Sequence, residues 1–443
     1  MMPCRAGVPV LARTPPAEKV RNVPRPRRVL GGMTIRGMAA ATGCVLLAGT
    51  AALAGCGTAR AGQASLPGSA AGTAAAPRSA PASRAAGGGQ CQVALARRRQ
   101  AAGAQFALTG VEFVSPQQGW VVGGDRILVT SDGGAHWRVQ RRGQLDLTSV
   151  DFINVTDGWA LGPVTLLATT DGGAHWTALP EPCPMLDSVH FVSPLTGFAV
   201  AGGTVTPDQP VPRAGGVLLS TGDGGRTWHR LAAPPDVQGA CFSSPGLGWL
   251  GAHGSLYHTG TGGAHWIPAA PGPARGAGQP YLMTVQCAGP DSVWAQDLGT
   301  GTAMMHQPVI GYRGGPGGTA PVFAEQYFPH PGVTVSASSP GPEPGPMSAI
   351  SPDTAVVIGS CPPCGDGTAP WDLLTASGAV IIPRGNVGGL NESAAASFLT
   401  TRLGWVVGVS TDVSHPANPV QRQRIVKTSD GGQSWHTEYT FPA

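Results

Sequence analysis

An eight-residue motif that recurs along the chain is the feature that most limits what this sequence can fold into. It reads TSDGGAHW at 130–137, TTDGGAHW at 169–176 and TSDGGQSW at 428–435. A further copy lies at 221–228, and TGTGGAHW at 259–266 has Thr261 in place of the acid. Self-similarity at intervals of about 40 to 60 residues is typical of arrays of one small unit. We therefore expect a repeated architecture with many similar cores.

A second motif opens each unit. It consists of an apolar residue, a turn and then an aromatic residue that starts an apolar run, as in FVSPQQGWVVG from Phe113 and FINVTDGWALG from Phe152. Weaker copies begin near Cys287 and Ile350. Seven positions mark the start of these runs: Trp120, Trp159, Phe198, Trp249, Trp294, Val356 and Trp405. The chain therefore contains seven units.

Short apolar runs with alternating polarity follow both motifs, and turn residues separate them. The chain has 67 Gly and 43 Pro among 443 residues, a composition that favours turns over long helices. Four short strands for each unit describe one propeller blade. We predict an all-β fold, a seven-bladed β-propeller of four-stranded antiparallel blades, over residues 90–443.

The repeats resemble a known family. The T-x-D-G-G-x-x-W copies are similar to Asp-boxes, also called BNR repeats, and their pairing with F-x-x-x-x-x-G-W resembles the seven-bladed propellers of the photosystem II assembly-factor type. The resemblance covers about residues 105–443 and places each box at the turn between strands three and four of a blade. It does not fix the activity, because Asp-box propellers include sialidases, other glycosidases, sortilin-like receptors and assembly factors.

Three roles compete for the box: a structural turn, a metal loop and a catalytic carboxylate. An Asp carboxylate can accept N–H bonds from residues that follow it, glycine tolerates positive φ, and the Trp can pack between sheets. A catalytic site needs one carboxylate in a unique place, and an EF-hand needs alternating oxygen ligands and a terminal Glu. We expect a structural role and no metal for the box residues Asp132, Trp137, Asp171, Trp176, Asp223, Trp228, Trp266, Asp430 and Trp435.

The N-terminal segment has the pattern of an exported lipoprotein. Arg36 precedes an apolar run, Met38 to Leu53, and the run ends in Leu53-Ala54-Gly55-Cys56. This ending resembles the lipobox, in which the cysteine receives the lipid. We expect residues 1–55 to be a signal peptide with an N-terminal extension and 56–89 to be a lipidated, disordered Ala/Gly/Ser/Pro linker. The protein would then be anchored at the outer face of the bacterial cytoplasmic membrane through Cys56.

The charge of the chain is concentrated in the same segment. The formal net charge is +4, but residues 1–56 alone carry eight basic residues and one acidic residue. The remainder is therefore close to −3, which gives no basis for a nucleic-acid partner.

The loops on the face opposite the boxes are the ones that lengthen, at 204–216, 360–370 and 410–424 among others. Long loops on one face of a rigid scaffold commonly carry binding. The candidate contacts are Arg213, His415, Arg422 and Arg424. The alternative is ordinary polarity of solvated loops.

The channel along the propeller axis is a second candidate. The residues before the leading apolar position are polar in most units: Glu112, Asp151, His190, Cys241, Gln286, Ser348 and Ser397. Glu112, Asp151 and His190 in consecutive units have the chemistry of a cation site or an acid/base group. A water-filled channel wall explains the same pattern.

An enzyme is the less favoured reading. Sialidases require an Arg-Ile-Pro motif and a Tyr/Glu nucleophile pair, but no Arg-Ile-Pro occurs and the chain has only five Tyr. We predict a non-catalytic, monomeric scaffold without a cofactor that binds an envelope protein or glycan. The alternative is a glycoside hydrolase of the exo-sialidase type, which needs two carboxylates facing a cleft.

Six cysteines remain beyond Cys4, Cys44 and Cys56, and an even number in an exported chain favours disulfides. Cys241 and Cys287 fall on the inner strands of adjacent blades, so we expect them to pair. Cys361 and Cys364 form a C-x-x-C that is read as a local bridge or, alternatively, a redox motif. Cys91 and Cys183 would then form the third pair.

Overall fold

The computed structural model describes residues 107–180, 185–202, 215–253, 255–270, 281–290, 292–299, 309–314, 343–360, 369–375, 380–412, 414 and 420–441. All of them belong to one compact unit, Pro81–Ala443. The predicted signal peptide, Cys56 and the linker lie outside the described residues.

Every regular element within these described ranges is a β-strand, and the strands form seven antiparallel sheets there, in which neighbours in the chain are neighbours in the sheet. The first sheet contains β1 (Gly110–Phe113), β2 (Gly119–Thr130) and β3 (Arg138–Leu147). The second contains β4 (Ser149–Phe152), β5 (Gly158–Gly162), β6 (Thr165–Thr169) and β7 (Thr177–Ala178). The third contains β8 (Leu186–Phe191), β9 (Gly197–Ala201), β10 (Val217–Thr221) and β11 (His229–Arg230).

The fourth sheet contains β12 (Val237–Phe242), β13 (Gly248–Ala252), β14 (Ser255–Thr259) and β15 (Ile267–Ala270). The fifth contains β16 (Tyr281–Cys287), β17 (Val293–Gly299) and β18 (Val309–Gly314). The sixth contains β19 (Glu343–Ser351), β20 (Thr354–Ser360), β21 (Ala369–Thr375) and β22 (Val380–Val387). The seventh contains β23 (Glu392–Phe398), β24 (Gly404–Asp412), β25 (Val420–Thr428) and β26 (His436–Thr440).

The β-propeller with four-stranded antiparallel blades is confirmed, but the prediction of seven such blades needs correction. In the first sheet, β2 serves as both the second and the third strand: Gly119–Val122 pairs with β1, and Arg126–Val129 pairs with β3. Gly124, with φ +46°, lies between these two runs. The fifth sheet has only three strands within the described residues. Six of the sheets therefore contain four strand-length runs.

The core lies between the sheets. Each buried apolar cluster draws residues from two neighbouring sheets, for example Trp159 and Leu166 of the second sheet with Phe191 and Ala199 of the third. One cluster joins the seventh sheet to the first through Trp405 and Phe113. The sheets consequently close on themselves, which leaves no outermost sheet face unpaired.

One close contact explains the glycine of the opening motif. The Phe113 ring lies directly over Gly119, where an added Cβ would sit 2.5 Å from Phe113 Cδ1. The same ring-over-glycine contact occurs at Gly158, Gly197, Gly248 and Gly404. Any side chain at these positions would displace the ring. In the first four sheets the Phe in turn stacks on the leading aromatic residue of the preceding sheet, as Phe152 does on Trp120 at 3.5 Å.

Candidate functional site

The Asp-box is a tightly hydrogen-bonded turn. In the first sheet, the Asp132 Oδ1 atom accepts from the His136 N–H at 2.9 Å and from the Thr130 hydroxyl at 2.9 Å. His136 Nδ1 donates to Asp132 Oδ2 at 2.6 Å. The Thr130 Oγ1 atom also accepts from the Gly134 N–H at 2.9 Å. Both carboxylate oxygens are thus occupied by the turn itself.

The other boxes repeat this arrangement. Asp171 holds His175, Asp223 holds Thr227 and Asp430 holds Ser434, each through one backbone N–H and one side chain. Thr261 keeps the bond from the His265 N–H at 2.9 Å and a hydroxyl contact with Thr259 at 3.3 Å, but it has no bond to the His265 side chain. The glycine pairs have positive φ throughout, as at Gly172 and Gly173. This explains the D-G-G pattern, since glycine adopts that backbone region without strain.

These bonds act on the charge of the carboxylates. The backbone and side-chain bonds from His136 lower the pKa of Asp132 to about 2, and those from His175 do the same for Asp171. Side-chain and backbone bonds from Thr227 and Ser434 lower the pKa of Asp223 and of Asp430 to about 2. A carboxylate held ionised in this way is a poor general acid at neutral pH.

The box threonine is a residue whose role the sequence analysis missed. Thr130 ends β2 and is 1% exposed, and Thr169, Thr221, Thr259 and Thr428 occupy the same place in their sheets. Each accepts from the N–H of the second box glycine. The signal was present, because all five copies begin with Thr even where the Asp is lost.

The box tryptophans pack edge-on against the opening phenylalanines. Trp137 meets Phe113 with ring centroids 6.0 Å apart and planes at 90°, and Trp176 meets Phe152 at 5.9 Å and 89°. The same contact links Trp228 to Phe191, Trp266 to Phe242 and Trp435 to Phe398. The structure therefore places every box Trp in a contact within its own sheet.

The box turns share one face of the molecule with the turns between the first and second strands of each sheet. The Gly133 N–H donates to Gln117 O at 2.8 Å, and the Gly172 N–H donates to Thr156 O at 2.8 Å. Equivalent bonds tie the third, fourth and seventh sheets. We call this face the box rim. The connections between second and third strands lie at the opposite ends of the strands.

A cavity of about 520 Å³ lies among the first strands of all seven sheets. Its lining includes Glu112, Asp151 and His190, together with Gln238 and both cysteines of the fourth and fifth sheets. This cavity is the channel that the sequence pattern predicted, and its wall carries the polar residues in the expected places.

Those polar residues, however, do more than face water. Six of the seven reach the backbone of the next sheet. The Phe152 N–H donates to Glu112 Oε2 at 2.6 Å, and the Phe191 N–H donates to Asp151 Oδ2 at 2.8 Å. His190 Nε2 donates to Phe242 O at 2.7 Å. Gln286 accepts from the Ala349 N–H, Ser348 from the Phe398 N–H and Ser397 from the Phe113 N–H, at 2.7, 3.0 and 3.0 Å.

The remaining boundary is closed by a covalent bond. Cys241 and Cys287 form a disulfide with Cα atoms 5.6 Å apart, so the structure contains the pair expected from the sequence. With this bond the first strands are linked from sheet to sheet around the whole ring. We call these seven connections the inner-strand links. Cys91, Cys183, Cys361 and Cys364 lie outside the described residues.

Three of the links contain titratable side chains. Burial and the nearby charge of Asp151 raise the pKa of Glu112 well above its ordinary value, although the Phe152 N–H opposes this. Burial works against the charge of His190, but its interaction with Asp151 prevails and raises the pKa of the imidazole. The nearest His190–Asp151 ion-pair distance is 3.6 Å. Raised pKa values at both Glu112 and His190 make the three groups together less negative, which makes them less suited to a cation.

Asp372 is an ionisable residue that the sequence analysis did not single out. It lies on β21 and is 6% exposed, and burial raises the pKa of its carboxyl to about 6. Its neighbours in the strand, Trp371 and Leu373, are also buried. An isolated acid inside an apolar strand is the signal that would have found it.

The predicted binding residues fall into two groups. Arg213 and His415 lie outside the described residues. Arg422 and Arg424 are half-buried on β25, towards the end opposite the box rim. Arg424 donates through Nη1 to Gly389 O at 3.1 Å, so part of its hydrogen-bonding capacity holds the backbone before β23.

In the described ranges, no group of three or more His, Cys, Asp or Glu side chains is arranged to hold a metal ion. The same portion of the chain includes no helix with the length and apolarity needed to cross a membrane.

Comparisons with known proteins support the fold. Residues 97–187 match the family model described as "Photosynthesis system II assembly factor YCF48". No curated protein matches the chain. A solved structure of YCF48 bound to D1 peptide is similar at 15% identity, covering 69% of this chain and 91% of that one, with a TM-score of 0.44.

Glycoside hydrolases with the same type of fold are also similar. An ancestral GH74 enzyme matches at 13% identity over 77% of this chain and 47% of its own, with a TM-score of 0.50. The GH74 xyloglucanase from Xanthomonas campestris matches at 15% identity over 66% of this chain and 45% of its own, with a TM-score of 0.42. This chain spans about half the length of these hydrolases. At such identities the likeness shows a propeller and no activity.

Proposed function

We propose that this protein is a non-catalytic binding scaffold. The observation that carries the proposal is the use of its recurring polar residues: the box carboxylates close turns, and Glu112 and Asp151 accept backbone N–H bonds from the next sheet. Carboxylates committed to such bonds serve the architecture. The family model matched by residues 97–187 is named for an assembly factor, which agrees with a role in binding other molecules.

The binding face in this proposal is the one opposite the box rim. On that face the second sheet has only Pro163 and Val164 between β5 and β6, whereas the third and seventh sheets have 15 and 7 residues between the equivalent strands, at 202–216 and 413–419. Arg213, His415 and Arg422 belong to these longer connections or to the strand beside them. The partner would be an envelope protein or an envelope glycan, and the scaffold would act as a monomer.

The proposed location rests on the N-terminal sequence. Lipidation at Cys56 would anchor the propeller at the outer face of the bacterial cytoplasmic membrane, with residues 57–89 as a flexible tether. Metabolic labelling with a palmitate analogue tests this step. Label is expected in the wild type and in a Cys44→Ser control but not in Cys56→Ser. Equal labelling of both variants would contradict the anchor.

The binding role is tested with the mature protein immobilised and exposed to envelope extract and to an array of envelope glycans. One ligand is expected to bind the wild type and to lose affinity when residues 203–214 or 413–419 are replaced by short Gly/Ser turns. The matched control leaves that face unchanged and replaces Ala135 and His136 on the box rim. Loss of binding in the control alone would move the binding face to the box rim.

Glycoside hydrolysis is the second candidate function, and one observation favours it. Glu112 has a pKa raised by burial and by the nearby charge of Asp151, and both carboxyl groups lie on the wall of a 520 Å³ cavity. Two neighbouring carboxyl groups, one with a raised pKa, are a pattern of glycosidase sites. A panel of chromogenic glycosides separates the two functions. Turnover by the wild type that is abolished in both Glu112→Gln and Asp151→Asn would replace the scaffold proposal.

A further inference from the structure

The disulfide occupies a position that hydrogen bonds occupy elsewhere. Six of the inner-strand links are hydrogen bonds from one sheet to the backbone of the next, and the link between the fourth and fifth sheets is the Cys241–Cys287 bond. Cys241 precedes Phe242 as Glu112 precedes Phe113, and it reaches the residue equivalent to the next opening Phe. The bond therefore replaces a standard contact of the ring.

Cys287 also replaces an aromatic contact. In the first four sheets and the seventh, the equivalent residue is a Phe. In the first four, the leading aromatic of the preceding sheet stacks on it, as Trp159 does on Phe191 at 3.5 Å. Trp249 faces the boundary that contains Cys287 and instead contacts His258, with ring centroids 4.5 Å apart. Within the described residues, Trp249 Nε1 has no hydrogen-bond partner. This boundary consequently lacks two contacts that join the second and third sheets: the Trp159–Phe191 stack and the bond from Trp159 Nε1 to Gly224 O at 3.1 Å.

The sulfur atoms adjoin the channel. Both cysteines line the 520 Å³ cavity. Cys241 is 3% exposed, whereas Cys287 is partly exposed. Cys287 is therefore the more accessible residue of the pair, and we take its sulfur as the point of attack.

We propose that Cys241–Cys287 is a thiol–disulfide exchange site that opens the inner-strand link between the fourth and fifth sheets when a small dithiol enters the channel. The thiolate of the dithiol attacks Cys287 Sγ, the S–S bond breaks, and the electron pair leaves on Cys241 Sγ, which takes up a proton. The second thiol of the reagent then attacks the mixed disulfide and releases Cys287. The dithiol is oxidised to a disulfide, and the protein gains two thiols.

The expected result is local loosening while the fold persists. Met283 and Val285 of β16 pack against Gly239 of β12, where an added Cβ would lie 3.2 Å from the Val285 side chain. The Ser243 hydroxyl also donates to Pro290 O at 2.5 Å. These contacts remain after reduction. Only the constraint nearest the channel is lost, so β12 and β16 should exchange their amide hydrogens faster than the other first strands.

The test uses the full-length protein with Cys91, Cys183, Cys361 and Cys364 replaced by Ser, so that thiols in the propeller arise only from the pair. Dithiothreitol and iodoacetamide are added under native conditions, and alkylation is mapped by mass spectrometry. Hydrogen exchange is then followed in β4, β8, β12 and β16. The matched control adds Cys241→Ser and Cys287→Ser and receives the same reagents.

We expect both cysteines to be alkylated only with the dithiol present, and exchange in β12 and β16 to rise several-fold while β4 and β8 stay unchanged. The control lacks the disulfide, so its β12 and β16 should show the faster exchange even without reductant. A pair that is reduced only in denaturant would overturn the proposal. So would reduction that leaves exchange in β12 and β16 unchanged. Both the alkylation and the hydrogen-exchange results are independent of the binding role proposed above.

Discussion

Between the second and third sheets, Trp159 stacks on Phe191 at 3.5 Å and donates through Nε1 to Gly224 O of the next box at 3.1 Å. Between the fourth and fifth sheets, the equivalent Trp249 has Cys287 in place of that Phe, and a disulfide supplies the connection. We call the first the aromatic boundary and the second the disulfide boundary. The face-to-face stack recurs at each boundary that leads into one of the first four sheets, whereas the disulfide lies where the opening motif weakens, in the fifth sheet.

The comparison shows that one geometric requirement has several chemical solutions. A propeller needs each first strand held to the next, and a carboxylate, an imidazole, an amide, a hydroxyl or a disulfide all satisfy that need here. The aromatic stack is an addition to this link, present in the regular repeats. The two boundaries should therefore respond differently to substitution.

The largest effect is expected at the leading tryptophans. Trp159→Ala removes a buried ring, its stack and its hydrogen bond, and should lower the free energy of unfolding by about 3–5 kcal/mol. Trp249→Ala should lower the free energy of unfolding by about 1–2 kcal/mol less than Trp159→Ala does, because it removes no face-to-face stack and no indole hydrogen bond. Urea unfolding of both variants measures the difference. Equal losses would erase the distinction between the two boundaries.

A smaller effect is expected at the glycine beneath the opening Phe. Gly119→Ala places a Cβ against the Phe113 ring, which is stacked on Trp405, and should destabilise the protein by about 1–3 kcal/mol. Gly222→Ala is the matched control, since nothing lies within 4 Å of its Cβ position. Denaturation midpoints of the two variants give the answer. A control as unstable as Gly119→Ala would show that the ring contact is not the cause.

The link between the first and second sheets should depend on pH. Because the folded protein raises the pKa of Glu112, that group stabilises the fold below its ordinary value of 4.5, and the contribution is lost as the pH rises through the raised value. Glu112→Gln keeps an acceptor for the Phe152 N–H but does not titrate. Its stability relative to the wild type should therefore increase as the pH rises, as measured by urea midpoints across this range. A constant difference would contradict the raised pKa.

The smallest effect is expected at the exposed boxes, and its sign is opposite. The bonds from His136 lower the pKa of Asp132 from 3.8 to about 2, so its stabilising contribution is present above 3.8 and is lost as the pH falls towards 2. Asp132→Thr, which copies the natural box at Thr261, should reduce the acid sensitivity of unfolding. Thr261→Asp is the reciprocal control and should increase it.

The sequence was sufficient for the propeller fold, the position of the box turns and the Cys241–Cys287 pair. Fixed spacing reveals these features, because each depends on residues at constant separation. The partner of each inner-strand residue could not be predicted in the same way. Glu112 and Ser397 face the channel whether they bind water or the neighbouring backbone, and only the approach of the next sheet decides between them.

The blade count shows a different limit. The sequence marks seven units, but it does not reveal that β2 runs through Gly124 as one strand. It also gives no signal for a fourth strand after β18, because the box motif is lost in that unit. Counting repeats shows how often a motif is retained in the sequence. Strand pairing depends instead on local backbone hydrogen bonds, which weak copies of the motif do not specify.

Amide exchange at the opening phenylalanines tests the inner-strand links most directly. The chain has ten Phe, so ¹⁵N-phenylalanine labelling gives a spectrum in which Phe113, Phe152, Phe191 and Phe398 can be followed individually. The account predicts that Asp151→Ala speeds exchange at Phe191, Glu112→Ala at Phe152 and Ser397→Ala at Phe113, each severalfold and with the other three unchanged. Exchange that stays the same at the partner amide, or that rises equally at all four, would contradict the claim that these channel residues hold the ring together.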